Sequence, residues 1–160
     1  HELTSLREPE PDRMSAADLL DPVLGEWRRR LESQGIELHR SVPDGLPEVT
    51  ADQGLVAVAF EKILENAREA MPDGGDLEVR VQTREGWVCF LFTDTGDGIA
   101  PKHLPHVCEP FYGSKPQASG LGLTVAQRIV HEHRGRLTVE SEDRRTEVEV
   151  CLPAVPARGS

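Results

Sequence analysis

The chain lacks long apolar runs, is poor in positive charge, and has few cysteines. No stretch of about 18 apolar residues occurs, so no segment reads as a membrane-spanning helix. Eighteen Lys and Arg stand against 28 Asp and Glu, a formal charge of −10. That balance argues against a nucleic-acid partner, because neutralising phosphates needs a basic face. A small phosphate ligand remains open to it if backbone N–H groups and a metal ion supply the positive end. The three cysteines, Cys89, Cys108 and Cys151, are odd in number and scattered. Cys89 and Cys151 fall in apolar strand patterns, which predicts reduced, buried thiols in a cytoplasmic protein. Residues 1–14 are polar and rich in Glu, Arg and Pro, unlike a signal peptide.

With 160 residues the chain has room for one domain with a sizeable core. Glu8-Pro9-Glu10-Pro11 reads as linker, so residues 1–14 are expected to precede a domain over 15–153, with 154–160 as a tail. Ser15 suits a helix cap, and Leu19, Leu20, Val23, Leu24, Trp27 and Leu31 follow at helical spacing. Asp52 suits a second cap, before a stripe of Val56, Ala59, Phe60, Ile63, Ala67 and Ala70 that Pro72-Asp73-Gly74-Gly75 ends. Residues 36–42 alternate as a strand. Leu77, Val79 and Val81 alternate likewise, and Trp87–Thr93 is an almost continuous apolar strand. A third helix over about 121–133 and two more alternating strands close the pattern. It predicts an α+β fold: a two-layer sandwich of three helices on one face of a mainly antiparallel sheet of about five strands.

Three segments carry candidate chemistry. Asn66 borders the buried stripe of the second helix, where its carboxamide oxygen suits Mg2+, a local backbone hydrogen bond being the commoner role of an asparagine taken alone. Asp94 ends a strand too apolar to hold a carboxylate lightly, and Gly96 and Gly98 let a ligand approach the backbone. A carboxylate there accepts a hydrogen bond from the amino group of adenine and repels the carbonyl of guanine. An ordinary Asx turn is the alternative, and the spaced carboxylates of an EF-hand are missing. Gly120 and Gly122 open the third helix, where free N–H groups favour phosphate, yet no Walker lysine follows. His103, His106 and Cys108 offer three zinc ligands without a fourth nearby. Residues 95–119 are aperiodic, and a loop of that length inside a domain is expected to be functional.

Together, Phe60–Gly75 (FEKILENAREAMPDGG), Thr93–Ile99 (TDTGDGI), Glu109–Pro116 (EPFYGSKP) and Ser119–Val130 (SGLGLTVAQRIV) resemble the ATP-binding catalytic domain of bacterial sensor histidine kinases. These belong to the superfamily shared with DNA gyrase, MutL and the Hsp90-type chaperones. The second helix and short lid look most like the nitrogen-regulator branch. The resemblance implies Asn66 as the Mg2+ ligand and Asp94 as the adenine reader, with Gly96, Gly98 and Ile99 shaping the pocket floor. It implies Phe111, Tyr112 and Lys115 on a mobile ATP lid, with Lys115 near the terminal phosphates, and Gly120, Leu121, Gly122 and Leu123 around the phosphates. The reaction implied is transfer of the γ-phosphoryl of ATP to a histidine on a dimerisation domain, then to a response regulator. The phosphoacceptor motif itself, His-Glu followed shortly by Pro, is missing from this chain, so a monomeric catalytic fragment is expected. An anti-sigma-factor serine kinase and a non-catalytic nucleotide-binding adaptor of the same superfamily are the alternatives. Lys62, Gly113, Ala118 and Arg134 depart from the usual pattern.

Overall fold

Ser15 and Asp52, the residues suited to start helices, do so. The Ser15 hydroxyl accepts from the Asp18 amide at 3.0 Å, and Asp52 Oδ1 accepts from the Leu55 amide at 3.0 Å. The computed structural model describes residues 7–96, 120–142 and 144–156. Along them run β1 (Asp12–Met14), α1 (Ala16–Ser33), β2 (Ile36–Ser41), β3 (Val49–Ala51), α2 (Gln53–Ala70), β4 (Gly75–Arg84), β5 (Trp87–Asp94), α3 (Gly120–Glu132), β6 (Arg136–Glu142) and β7 (Arg145–Pro153).

The main sheet has the order β2-β4-β5-β7-β6, parallel at β2–β4 and antiparallel elsewhere. The expected mixed five-stranded sandwich is therefore present. Leu77, Val79 and Val81 of β4, Val88, Phe90 and Phe92 of β5, and Val148, Val150 and Leu152 of β7 are buried beneath the helices. At their centre Phe60 of α2 packs tilted against Phe90 and Phe92, ring centroids 5.1 and 5.3 Å apart. Removing a ring so enclosed costs about 3–5 kcal/mol. The anticipated stripe of α1, Leu19 to Leu31, is buried throughout. Pro22 sits inside that helix and has no N–H for the Asp18 carbonyl; the Gln53 carboxamide donates to it instead, at 3.4 Å.

The hairpin between β4 and β5 turns on Glu85 and Gly86, both at positive φ (42° and 90°), which matches the right-handed strand twist. A second, two-stranded sheet was not anticipated. β1 pairs antiparallel with β3, Asp12 opposite Ala51 and Met14 opposite Val49. Three-residue strands carry too little alternation to be read from sequence. The cysteine expectation is also corrected. Cys89 and Cys151 are directly opposite in the β5–β7 register, with Cα atoms 4.1 Å apart, and are joined as a disulfide. Each was legible as a strand residue, but their pairing depends on a register 62 residues apart in sequence.

Candidate nucleotide site

The apolar run of β5 carries Asp94 to the end of the sheet, on the same face as Phe90 and Phe92. There its side chain is 3% exposed. Burial pushes its carboxyl up to about 6, against the opposing pull of the Gly96 amide, which donates to Oδ1 at 2.9 Å. At neutral pH this is a mostly ionised carboxylate held in a poorly solvated place. Such a group seeks a strong donor.

Gly96 explains why the turn after β5 lies where it does. A Cβ there would stand 2.5 Å from the Ala70 carbonyl oxygen and 2.8 Å from the Ala70 side chain, so only glycine lets the turn meet the end of α2. Thr95 fastens the same corner. Its hydroxyl accepts from the Asp76 amide at 3.0 Å, and its own amide donates to the Asp76 carbonyl at 3.2 Å. The end of α2 is secured from the other side by Gln34, whose carboxamide donates to the Arg68 and Met71 carbonyls, each at 2.8 Å. Those acceptors would otherwise be orphaned at the helix end.

Asn66 lies one turn before Ala70, on the helix that this corner abuts. It is half-buried, and its side chain forms no hydrogen bond with any described residue. Lys62 is one further turn back on the same side. α3 packs along α2 on Leu123, Val125, Ala126, Ile129 and Val130, all buried, and its first residue is Gly120. The N–H groups of its opening turn have no partner within the helix, and the helix dipole adds partial positive charge there. The structure thus places the end of β5 against α2 and packs α3 beside α2. Gly98, Ile99, Phe111, Tyr112, Lys115 and the zinc candidates His103, His106 and Cys108 lie outside the described residues.

Sequence reasoning missed one polar node at the opposite ends of α2 and α3 from this site. Asp52 is 3% exposed and more than a cap. Arg7 donates to its Oδ1 at 2.8 Å and also pairs with Oδ2, which takes the Glu10 amide at 2.7 Å. The Arg7 bond, aided by the Glu10 and Leu55 amides, outweighs burial and holds the carboxyl well below the usual carboxylate range. The Asp52 amide in turn donates to His133 Nε2 at 3.0 Å, and His133 Nδ1 stands 2.8 Å from the Ile129 carbonyl. The imidazole is thereby the neutral Nδ1–H tautomer. This joins the N-terminal segment, the start of α2 and the end of α3, over separations no local pattern reveals.

The same helix end accounts for a departure noted above. The Gly135 amide donates to the Val130 carbonyl and the Arg134 amide to that of His131, both at 2.9 Å, which puts Arg134 at φ 61°. This is the left-handed closing position of a Schellman motif, ordinarily a glycine. Gly135 itself has no alternative, since a Cβ would lie 2.4 Å from the Cys151 carbonyl.

The described part of the site is thus a buried carboxylate at a strand end, a half-buried carboxamide on the adjoining helix and a glycine-led helix start, on an α/β sandwich. Residues 51–156 match the family model described as Histidine kinase-, DNA gyrase B-, and HSP90-like ATPase, and this chain belongs to that family. Within it, the chain stands with the sensor histidine kinases. The solved structure of the mycobacterial sensor histidine kinase MprB is 32% identical, with a TM-score of 0.77 over 93% of this chain and 99% of that one. The catalytic domain of histidine kinase ThkA shares the fold at TM-score 0.82 and 20% identity, over 91% of this chain and 96% of that one. Among curated relatives, sensor histidine kinase CusS of Escherichia coli (strain K12) is 33% identical over 91% of this chain, and sporulation kinase A of Bacillus subtilis (strain 168) 31% over 95%. The chain spans 31% and 26% of the length of those two proteins.

Proposed function

We propose that this domain binds Mg·ATP and passes the γ-phosphoryl group to a histidine on a separate dimerisation domain, for relay to a response regulator. The observation that carries the reading is Asp94. Its carboxylate is buried at the end of β5, kept mostly ionised at neutral pH, and walled by a turn that Gly96 presses onto α2. A fixed acceptor of this kind takes the exocyclic amino group of adenine and rejects the carbonyl that guanine offers. Asn66 fits a Mg2+ ligand, being a half-buried carboxamide that no described residue occupies. Magnesium takes few protein oxygens and keeps several waters, so one carboxamide beside the phosphates suffices. The ion would neutralise phosphate charge as the group is transferred. The amides opening α3, from Gly120 to Leu123, wrap the phosphates, and Gly98, Ile99, Phe111, Tyr112 and Lys115 complete the pocket and its lid.

The fold and the family support the reading from outside the site. A response regulator is a partner in one solved relative, histidine kinase ThkA in complex with response regulator protein TrrA, TM-score 0.83 at 18% identity, and another, ShkA, was solved with AMPPNP. The domain is proposed to work in the cytoplasm, where ATP is supplied. No described helix is long and apolar enough to cross a membrane. The style of α2 and the short span between Asp94 and Gly120 support a nitrogen-regulator-like branch. The test is phosphoryl transfer from labelled ATP, in trans, to a dimerisation domain bearing the acceptor histidine. Transfer that needs Mg2+ and disappears in Asp94→Asn supports the assignment. ATP binding without transfer to any histidine acceptor would favour the adaptor reading.

A further inference from the structure

The face of the sheet turned away from the helices carries a cluster that nucleotide chemistry does not use. Cys89 of β5 and Cys151 of β7 are joined there, and a Glu149 carboxylate oxygen lies within 4.8 Å of both sulfurs. Arg84 reaches across from β4 and pairs with Glu149. Cys89 is 1% exposed, whereas Cys151 is half-buried, so Cys151 is the more accessible residue of the pair. The bond is not what holds the two strands in register. β5 and β7 are paired from Trp87–Pro153 to Asp94–Thr146, with two further pairs on the Trp87 side of the cysteines and five on the Asp94 side.

We propose that Cys89 and Cys151 form a reversible thiol–disulfide exchange site for small thiols and disulfides such as glutathione. In the closing direction the Cys151 thiolate attacks one sulfur of oxidised glutathione, breaks its S–S bond and expels a glutathione thiolate. The Cys89 thiolate then attacks the Cys151 sulfur of the mixed disulfide and expels the second. Two electrons pass from the cysteine pair to glutathione, and the two thiol protons end on the two released thiols. Opening is the reverse, with the external thiolate attacking Cys151 and Cys89 leaving. The buried helix-facing side of the sheet takes no part, so neither direction needs the core to repack. Glu149 disfavours a second negative charge beside it, and Arg84 offsets that charge. Thiols are kept reduced where ATP is supplied, so a pair placed to close and open fits such a compartment better than a permanent staple; this last point alone rests on the proposed function.

The experiment uses the full chain as Cys108→Ser, equilibrated in glutathione buffers from fully reduced to fully oxidised, trapped with iodoacetamide and weighed intact. The proposal expects both thiols to vanish together in one two-electron transition, to return on adding reduced glutathione without denaturant, and the circular dichroism to stay constant. Arg84→Ala should slow closure several-fold at neutral pH, which a passive staple would not show. Two thiols alkylated across the whole range, a glutathione adduct that never closes, or a bond that opens only in denaturant would each overturn it. In Cys151→Ser, native Cys89 should resist iodoacetamide; rapid alkylation would contradict the order of attack. Nucleotide binding does not enter this readout, so failure of the kinase assignment leaves it intact.

Discussion

Replacing Asp94 by Asn should abolish a pH-dependent destabilisation of the free domain while crippling its hold on ATP. The carboxyl titrates at about 6 when folded, against an ordinary value of 3.8, because burial disfavours its charge. Two pH units at about 1.4 kcal/mol each amount to about 3 kcal/mol. For a raised acid the folded state is favoured below pH 4, where the group is protonated, and loses that advantage as pH rises through 6. The Asn variant has no such loss. Its amide will carry a constant cost of its own, about 1–3 kcal/mol if the NH2 stays unpaired, so the informative quantity is the pH dependence. The stability difference between variant and parent should move by about 2–3 kcal/mol in the variant's favour between pH 4 and pH 8. Urea denaturation at the two pH values measures it. Calorimetry at pH 8 should meanwhile show ATP affinity reduced at least about tenfold, since a charge-assisted bond worth about 1.5–3 kcal/mol is lost. A stability difference that ignores pH, together with unchanged ATP affinity, would refute the reasoning.

Other substitutions test the surrounding corner. Asn66→Ala should leave stability within about 1 kcal/mol and adenosine binding intact, while removing the Mg2+-dependent part of ATP affinity by titration. Gly96→Ala forces a Cβ into the Ala70 carbonyl and should lower both the thermal midpoint and ATP affinity, as calorimetry would show. Arg134→Gly relieves a positive φ and should stabilise the domain by about 1 kcal/mol in denaturant melts without altering nucleotide binding. Arg7→Ala bears on Asp52, whose depressed carboxyl contributes stability above pH 4 that is lost as pH falls through its folded value. Without Arg7 that loss should begin at higher pH, seen in the carboxyl chemical shift of Asp52 and in the acid limb of unfolding.

Local signals in the sequence were dependable where one element decided the outcome. The caps at Ser15 and Asp52, the stripes of α1 and α2 and the alternation in β4 and β7 all follow from spacing along a single segment. Asp94 was legible because a carboxylate closing an apolar strand is expensive without a purpose, and the structure adds the burial that makes it so. What was illegible depends on distant residues meeting. The β1–β3 pair joins segments 37 residues apart (Asp12 and Val49 onward) in strands of three residues each. The Arg7–Asp52–His133 node spans nearly the whole chain, and each member alone looks like linker, cap or helix end. The disulfide needed the β5–β7 register, which alternation does not supply.

The most direct test of the central claim is calorimetric titration of the domain with a non-hydrolysable ATP analogue, with and without Mg2+, and with the GTP counterpart. The account expects binding of the ATP analogue, strengthened by Mg2+, and none of the GTP analogue, because Asp94 accepts from an amino group and repels a carbonyl. Equal binding of the two nucleotides, or none of either, would contradict it.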